Sequence, residues 1–338
     1  MATSASRPQI SAVVVHTGGL PHIRNFLASL FASTRVPIEA VVVDNCSGTV
    51  GLAAAVGEFP GARLHPLAER KGYAAASNDG IRVALGRHVL WCNDDLVFHA
   101  GAVDTLAAFL DAHPDYGAAG PRLLNPDGSF QPCFALVHLS FLNLIAERLN
   151  LSWAVPSRWM PFRSHEGHES EERDVAVVAG ACMLIRRAAL ESIGGSIDDR
   201  YFLYAEEFDL CYRIQRQGWR IRYVPTSVVT HLGSQTTVAS VSIRPTHFRW
   251  VIQSWRSRFA YLHKNSGALA EGAYAMIFAL TAVPRALVMR IRAAAAEAAG
   301  DSERGAGLRA RARLHLFAAR MALTPGRRDA SRYPEYPF

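Results

Sequence analysis

At 338 residues, half of them hydrophobic and 19% charged, the chain has enough apolar material for one large domain or one and a half, and this composition excludes disorder as the default state. The net charge of +7 is local: residues 285–332 carry 11 Arg against 4 acids, and the rest of the chain is close to neutral. That distribution excludes a uniformly basic nucleic-acid binder and suits a basic C-terminal segment facing anionic lipid. In chain order, Ile10 to Val15 reads as a short buried strand broken by Thr17-Gly18-Gly19, and Leu20 to Phe31 has helical spacing of apolar residues. Ala40 to Val43 is a second strand, ending at Asp44-Asn45. Tyr73 to Leu85 is Ala-rich and helical, His88 to Trp91 is a third strand, Gly101 to Leu110 is helical again, and Gly117 to Pro121 closes the unit. Short β-rich runs alternating with helical stretches predict βα units and a mostly parallel sheet.

Residues 121–174 differ. Asn125-Pro126-Asp127-Gly128 is a turn signal, Phe134 to Leu151 is apolar, and Ser164 to Asp174 is a polar loop. Val175 to Ile185 reads as a buried strand interrupted at Gly180, Leu203 to Gln217 begins with acids and continues as a helix, and Ile221 to Val224 and Val228 to His231 read as two short strands. Further on, Gly272 to Pro284 is an uncharged stretch of 13 residues, well short of the ~20 apolar residues a spanning helix needs. Arg285, Arg290 and Arg292 follow it at once, which suits an interfacial helix lying on a membrane; the alternative is a helical cap on the main domain. The five cysteines are scattered, odd in number and without a CxxC pair, which speaks against a zinc ribbon or a disulfide framework and for a reducing compartment. The N-terminus shows no apolar core of signal-peptide length, so the expected location is cytoplasmic, peripheral on the inner face of the cell membrane if the basic segment binds lipid.

The chemistry-bearing stretch is Trp91-Cys92-Asn93-Asp94-Asp95. A strand that ends in two carboxylates must end at a surface, because a buried ionised pair is very costly. Adjacent acids beside an amide supply the oxygen ligands that hard divalent cations take, and the carboxyl ends of strands in an α/β sheet are where ligands bind. The stretch therefore suggests a metal–diphosphate site and a nucleotide-sugar enzyme. Two other features are set aside. His165-Glu166-Gly167-His168-Glu169 is not H-E-x-x-H and reads as a solvated loop, and the tryptophans Trp153, Trp159, Trp250 and Trp255 are expected to pack in the core.

Five segments in order resemble the family 2 glycosyltransferases of GT-A fold, over roughly residues 10–235: Val41-Val42-Val43-Asp44-Asn45-Cys46-Ser47; Lys71-Gly72-Tyr73-Ala74-Ala75-Ala76-Ser77-Asn78; Asn93-Asp94-Asp95, standing where that family carries its D-x-D; Gly180-Ala181 through Gly194-Gly195; and Tyr204-Ala205-Glu206-Glu207-Phe208-Asp209-Leu210. Gly120 to Gly128 is similar to a segment of the rhamnosyltransferase-like branch. The resemblance implies a Rossmann-like, mostly parallel α/β sheet flanked by helices. Residues 1–241 would be the transferase domain, with a donor half (1–120) and an acceptor half (121–241), and 242–338 a helical, basic extension. It implies inverting, metal-dependent transfer of a sugar, most plausibly rhamnose, from a dTDP- or UDP-sugar to a cell-surface glycan precursor or polyprenyl-linked acceptor, with no nucleic-acid partner.

The site residues follow from the same register. Asp44 can accept from the N3–H of uracil or thymine, or can cap its own turn; Asn45 and Asn78 stand in the matching segments, and Asn78 can hold base or ribose. Thr17 in the Thr-Gly-Gly loop lets backbone approach the nucleotide, and Lys71 with Gly72 approaches the diphosphate. Asp95 is the expected ligand of Mg²⁺ or Mn²⁺, with Asn93 or Asp94 on ribose or a metal-bound water; a helix N-cap is the bland reading of the acidic pair. His231 stands where the family often places a third metal ligand or diphosphate contact; a lone histidine after a strand is otherwise a structural hydrogen-bonder. Glu207 is the candidate base for the acceptor hydroxyl. The family usually has Asp there, so Glu206 is kept as the alternative, and Asp209 with Arg213 reads as an orienting i,i+4 pair. The rival readings are a non-catalytic nucleotide-sugar-binding scaffold and a sugar nucleotidyltransferase. His16-Thr17-Gly18-Gly19 does not match the Gly-rich loop the latter needs.

Overall fold

The computed structural model describes residues 8–161, 163–233 and 248–331. Four parallel strands form one half of the main sheet in the order β3-β2-β1-β4: β1 (Ile10–His16), β2 (Ile38–Asp44), β3 (Ala62–Pro66) and β4 (His88–Asn93). β1 is buried along its whole length. That is why it reads as an unbroken apolar run, the signature of a strand covered on both faces. Helices α1 (Leu20–Ser33), α2 (Leu52–Gly57) and α3 (Tyr73–Val83) are the crossovers. β3 escapes the sequence reading because Ala-Arg-Leu-His-Pro is only half buried at the sheet edge and carries no apolar run.

The other half of the sheet is mixed. After β5 (Leu96–Phe98), α4 (Ala102–Ala112) and β6 (Tyr116–Leu124) come the short strands β7 (Phe130–Gln131) and β8 (Phe134–Ala135), helix α5 (Phe141–Arg148), strands β9 (Arg173–Asp174), β10 (Val177–Val178) and β11 (Cys182–Arg186), helices α6 (Arg187–Glu191) and α7 (Glu206–Arg216), and β12 (Arg220–His231). The sheet continues β4-β11-β6-β12-β5, with β11 antiparallel to β4 and β6, β12 parallel to β6, and β5 antiparallel to β12. β8 and β10 pair separately. The expectation of a mostly parallel sheet thus holds for β1 to β4, and β11 and β5 reverse it. The two strands expected at Ile221 to Val224 and Val228 to His231 are one, with a register shift between Val224 and Val228. Pro225 inside that shift has no N–H to give to a ladder, so pairing breaks there and the strand is re-aimed before His231. α7 starts at Glu206 and not at Leu203, because Tyr204 (φ 71°) and Ala205 (φ 66°) are left-handed.

Two further expectations are corrected. His165 is buried, its ring 5.8 Å from Phe130 and 6.3 Å from Phe134, while Glu166 pairs with Arg163; the loop is only partly solvated. Trp153 and Trp159 are exposed and do not pack in the core, whereas Trp255 packs edge-on against Phe278 at 5.2 Å.

The described residues group into two compact units. One takes in the residues up to His138, those from Ser157 to Asp199 and those from Glu206 to Gly233; the other takes in Leu139 to Pro156, Arg200 to Ala205 and the C-terminal helices α8 (Phe248–Ala298) and α9 (Ser302–Leu323). In this second unit α5 begins with a Ser140–Asn143 capping box. Arg148 at its end lies 3.8 Å over the Phe278 ring and donates to Thr281 Oγ1 and the Phe278 carbonyl, and Arg258 pairs with Glu147 at 2.8 Å. These contacts draw residues 139–156 to the C-terminal helices. α8 is broken at Gly267 (φ 86°). It runs on through Gly272 to Pro284, so by length and composition it is apolar enough to cross a membrane, although a third of its most apolar window is buried within the protein.

In the first unit, α3 lies directly on the sheet at Gly80, where a Cβ would sit 2.6 Å from Val13 Cγ1 and 2.7 Å from Val43 Cγ2. Gly80→Val should cost about 1–3 kcal/mol by overpacking, measured as a lower urea midpoint at unchanged m-value.

Candidate active site

The carboxyl ends of β1, β2 and β4 share one edge, since His16 is in register with Asp44 and Val15 with Asn93. At that edge the acidic pair splits. Asp94 turns toward β1, its Oδ2 2.7 Å from Nδ1 of the fully buried His16, whose Nε2 lies 3.0 Å from Thr49 Oγ1. Asp95 turns the other way, toward β12, its Oδ1 3.1 Å from His231 Nε2. A hydrogen bond from Leu232 N–H to the Asp95 carbonyl (2.8 Å) extends the pairing of β12 with β5 here.

The surroundings of Asp95 test whether a divalent cation fits. Among the described residues its Oδ1 is buried with no hydrogen-bond partner, and a Cβ on Gly233 would come 1.6 Å from Oδ2, so the carboxylate occupies the space a side chain would fill. His231 Nδ1 faces Gln131 Oε1 at 2.7 Å, and its Nε2 faces Asn93 Nδ2 at 3.3 Å. Gln131 Oε1 can only accept, so Nδ1 carries the proton and a neutral ring presents a bare lone pair at Nε2. A carboxylate oxygen and an imidazole nitrogen side by side with no proton between them suit Mg²⁺ or Mn²⁺. Among the described residues no three His, Cys, Asp or Glu side chains form a closed cage, which leaves the remaining positions to donor phosphate and water, the habit of these cations. The residues present therefore fit a cation shared with a diphosphate.

The remaining nucleotide candidates form a neighbouring scaffold. Asp44 Oδ1 accepts from Ser47 N–H at 2.9 Å, the turn-capping arrangement, and Ser47 Oγ accepts from Thr49 N–H, which links this turn to His16 and Asp94. Asn45 is buried and spends its amide on the backbone of Lys71, donating to its carbonyl (2.9 Å) and accepting from its N–H (2.8 Å). Lys71 Nζ pairs with Asp79 at 2.9 Å. Gly72 is the N-cap of α3. Asn78 does to Ile197 what Asn45 does to Lys71, donating to its carbonyl (2.7 Å) and accepting from its N–H (2.9 Å). Thr17 is exposed just beyond β1. Asn45 and Asn78 thus shape the loops, and their amides are occupied in doing so.

Glu206 and Glu207 open α7, where the helix dipole favours negative charge. Asp209 pairs with Arg213 at 2.8 Å, and Arg213 also donates to the carbonyls of Ile193 and Ser196, tying α7 to the Gly194-Gly195 loop. Glu207 packs against the Trp91 strand at Gly180: a Cβ there would lie 2.9 Å from the Trp91 ring and 3.4 Å from Glu207 Cβ. Trp91 donates to Ser77 Oγ (2.9 Å) and packs on Tyr73, ring centroids 5.3 Å apart. The Tyr73 phenol is pushed well above its ordinary value by burial and by the charges of Cys92, Glu206, Asp94 and Asp95, which is how closely these groups gather. Burial raises Glu207 to about 7. Glu206 is raised well above the ordinary glutamate value by burial first and by the charge of Glu207 second, and its Oε2 is buried without a partner.

Sequence reasoning missed His16, Tyr73, Trp91, Gln131 and Gly233. His16, Tyr73 and Trp91 stand inside quoted segments without a role assigned to them, and Gln131 looks like an ordinary strand position.

A family model for glycosyl transferase family 2 matches residues 11–194. N-acetylglucosaminyl-diphospho-decaprenol L-rhamnosyltransferase of Mycobacterium tuberculosis is 33% identical over 229 residues, 64% of this chain and 74% of that protein. The chain belongs to the family 2 glycosyltransferases. Rhamnosyltransferase WbbL of Escherichia coli is 34% identical over 87 residues, 26% of this chain and 30% of that protein. The mannosyltransferase PcManGT of Pyrobaculum calidifontis, solved with GDP-Man and Mn²⁺, superposes with a TM-score of 0.51 at 19% identity, covering 93% of this chain and 88% of that one. GalNAc-T7 with UDP, GalNAc and Mn²⁺ also superposes with a TM-score of 0.51, at 17% identity, over 79% of this chain and 52% of that one. These structures establish the GT-A fold.

The raised Glu207 fixes a sign. Its carboxyl titrates at about 7 in the folded family 2 enzyme and in the ordinary glutamate range when unfolded, so folding takes up a proton and stability falls as pH rises between those two values. Glu207→Gln should match the wild type in thermal midpoint at pH 5 and exceed it at pH 8.

Proposed function

We propose that this glycosyltransferase moves a sugar, rhamnose foremost, from a dTDP- or UDP-sugar to a polyprenyl-diphosphate-linked acceptor, with inversion at the anomeric carbon. The observation that carries the reading is the Asp95–His231 pair, 3.1 Å apart at the strand edge, with Glu207 set against the Gly180–Trp91 wall whose strand leads to Asp95. Glu207 takes the proton of the acceptor hydroxyl as that oxygen bonds to the anomeric carbon. The bond from that carbon to the phosphate oxygen breaks, and the nucleoside diphosphate leaves with the electron pair. Asp95 and His231 would hold a divalent cation, which would supply neutralising charge for the departing diphosphate. Asp44 meets the base edge, and the loops set by Asn45 and Asn78 shape the donor cleft. The mycobacterial relative named for a diphospho-decaprenol acceptor supports the acceptor class, and two rhamnosyltransferases among the relatives support the sugar.

The test is a donor panel of dTDP-, UDP- and GDP-sugars with a polyprenyl-diphosphate-linked N-acetylsugar, reading out the released nucleotide. Release of dTDP or UDP is expected, and stimulation only by a GDP-sugar would overturn the base assignment. Removing divalent cations with EDTA should stop turnover, and Mn²⁺ or Mg²⁺ should restore it. Glu207→Gln should lower kcat about 10²–10⁴-fold with donor affinity unchanged, and the wild-type rate should fall on the acid side with an apparent pKa near 7.

The C-terminal unit supports a second element of the reading, contact with the inner face of the cell membrane from the cytoplasmic side. On α8, Met276, Leu280, Val283, Leu287 and Ile291 are exposed and recur at steps of three and four, which places them on one helix face. Arg290 and Arg292 adjoin that face. An apolar face edged with arginine suits an interface rich in anionic lipid. Leu280→Asp with Leu287→Asp should abolish co-flotation with phosphatidylglycerol vesicles and leave transfer to a water-soluble acceptor analogue intact.

A further inference from the structure

The Asn125-Pro126-Asp127-Gly128 turn plays no part in the chemistry above, yet it leads to the cation site through an unbroken file of hydrogen bonds. Asp127 Oδ1 accepts from Ser129 Oγ at 2.6 Å and from Ser129 N–H at 2.9 Å. Having given its proton to a carboxylate, Ser129 Oγ accepts from Asn125 Nδ2 at 2.9 Å. Asn125 Oδ1 then faces Gln131 and accepts from its Nε2 at 3.0 Å. That leaves Gln131 Oε1 toward His231 Nδ1, at 2.7 Å. Gln131 is buried, and its strand β7 is pinned antiparallel to β6 by the Leu123–Gln131 pair, so its amide has little freedom to turn over. The direction of every bond follows from the first, because an ionised carboxylate can only accept. At the far end the same direction appears independently: Asn93 Nδ2, a donor, faces His231 Nε2 at 3.3 Å.

We propose that Gln131, oriented by the Asn125–Ser129–Asp127 turn, is a positioning residue that holds His231 in the Nδ1–H tautomer and so turns a bare Nε2 toward Asp95. The proposal rests on the reading of Asp95 and His231 as cation ligands, but its first consequence belongs to the metal-free protein. Without Gln131 Oε1, only the longer contact from Asn93 Nδ2 at 3.3 Å still favours that tautomer, and the shorter approach of Asp95 Oδ1 at 3.1 Å draws the proton to Nε2 as a hydrogen bond. That bond would close the pair to a cation. Outer-sphere partners of metal-bound histidines generally act in this way.

The experiment uses the full chain in three forms: wild type, Gln131→Leu and Gln131→Glu. Side-chain ¹⁵N shifts of His231 are recorded without metal at pH 8, and Mn²⁺ binding is followed by electron paramagnetic resonance in the presence of UDP. The wild type should show the Nδ1–H form. Gln131→Leu should shift toward Nε2–H and lose roughly 10–100-fold in Mn²⁺ affinity. Gln131→Glu, whose carboxylate accepts the same bond, should keep the tautomer and most of the affinity, which a merely structural role would not produce. Should Gln131→Leu fail to fold, Ser129→Ala at the exposed turn asks the same question and should give a mixed tautomer. A wild-type tautomer in Gln131→Leu, or in Ser129→Ala where that variant stands in, overturns the proposal. An Nδ1–H tautomer in a wild type that binds no Mn²⁺ would instead overturn the cation reading and leave the hydrogen-bond file standing.

Discussion

Taking carboxylates out of water next to one another is among the costlier things a fold can do, and this site does it repeatedly. Asp94, Asp95, Glu206 and Glu207 gather around Trp91 and Tyr73, close enough that the phenol of Tyr73 feels the charge of three of them. Each is handled differently. Asp94 is given a histidine, His16, while Asp95 keeps a buried oxygen that no hydrogen bond from the described residues satisfies. Burial raises Glu206 well above the ordinary glutamate value and lifts Glu207 to about 7. An uncompensated charge and a half-titrated acid are what one expects where a cation and a proton are to arrive.

The sheet makes that arrangement possible by bringing together two kinds of strand. The parallel strands β1, β2 and β4 end at one edge, where the loops after them gather Thr17, Asp44 and Asp94. β12 reaches the same edge from the mixed half, through a bulge at Pro225 that re-aims its last residues, and its pairing with β5 sets His231 against Asp95. Gly233 completes the fit by having no side chain to collide with the carboxylate. Much of the polar inventory around this edge serves shape. Asn45 and Asn78 each close a pair of hydrogen bonds on a backbone segment distant in sequence, and Arg213 ties the Gly194-Gly195 loop to the helix that carries Glu207. Such clamps hold a catalytic constellation without touching what it binds.

Asp95 and Glu207 stood out in the chain as candidates because acids at the end of an apolar run and at the start of a helical one are visible in one dimension, and the five ordered segments resemble a known family. The strands β1, β2 and β4 were legible for the same reason: covered on both faces, they must be apolar without interruption. By itself the sequence determined the family, the parallel half of the sheet and the identity of the acids. It also located the positive charge, which sits in the C-terminal helices because the arginines themselves are there.

Only the tertiary structure decided how those acids divide. Asp94 and Asp95 are neighbours in the chain, yet they face opposite strands, and their partners His16 and His231 lie 78 and 136 residues away. Nor does local pattern distinguish Glu206 from Glu207; the depth to which α7 sinks each one does, and the left-handed pair Tyr204-Ala205 fixes where that helix begins. The same holds for Gln131, an unremarked residue on a two-residue strand until folding sets its amide between Asn125 and His231. Burial, tautomer and proton affinity are properties of what surrounds a side chain, and in this protein the surroundings come from segments that only the folded sheet brings within reach.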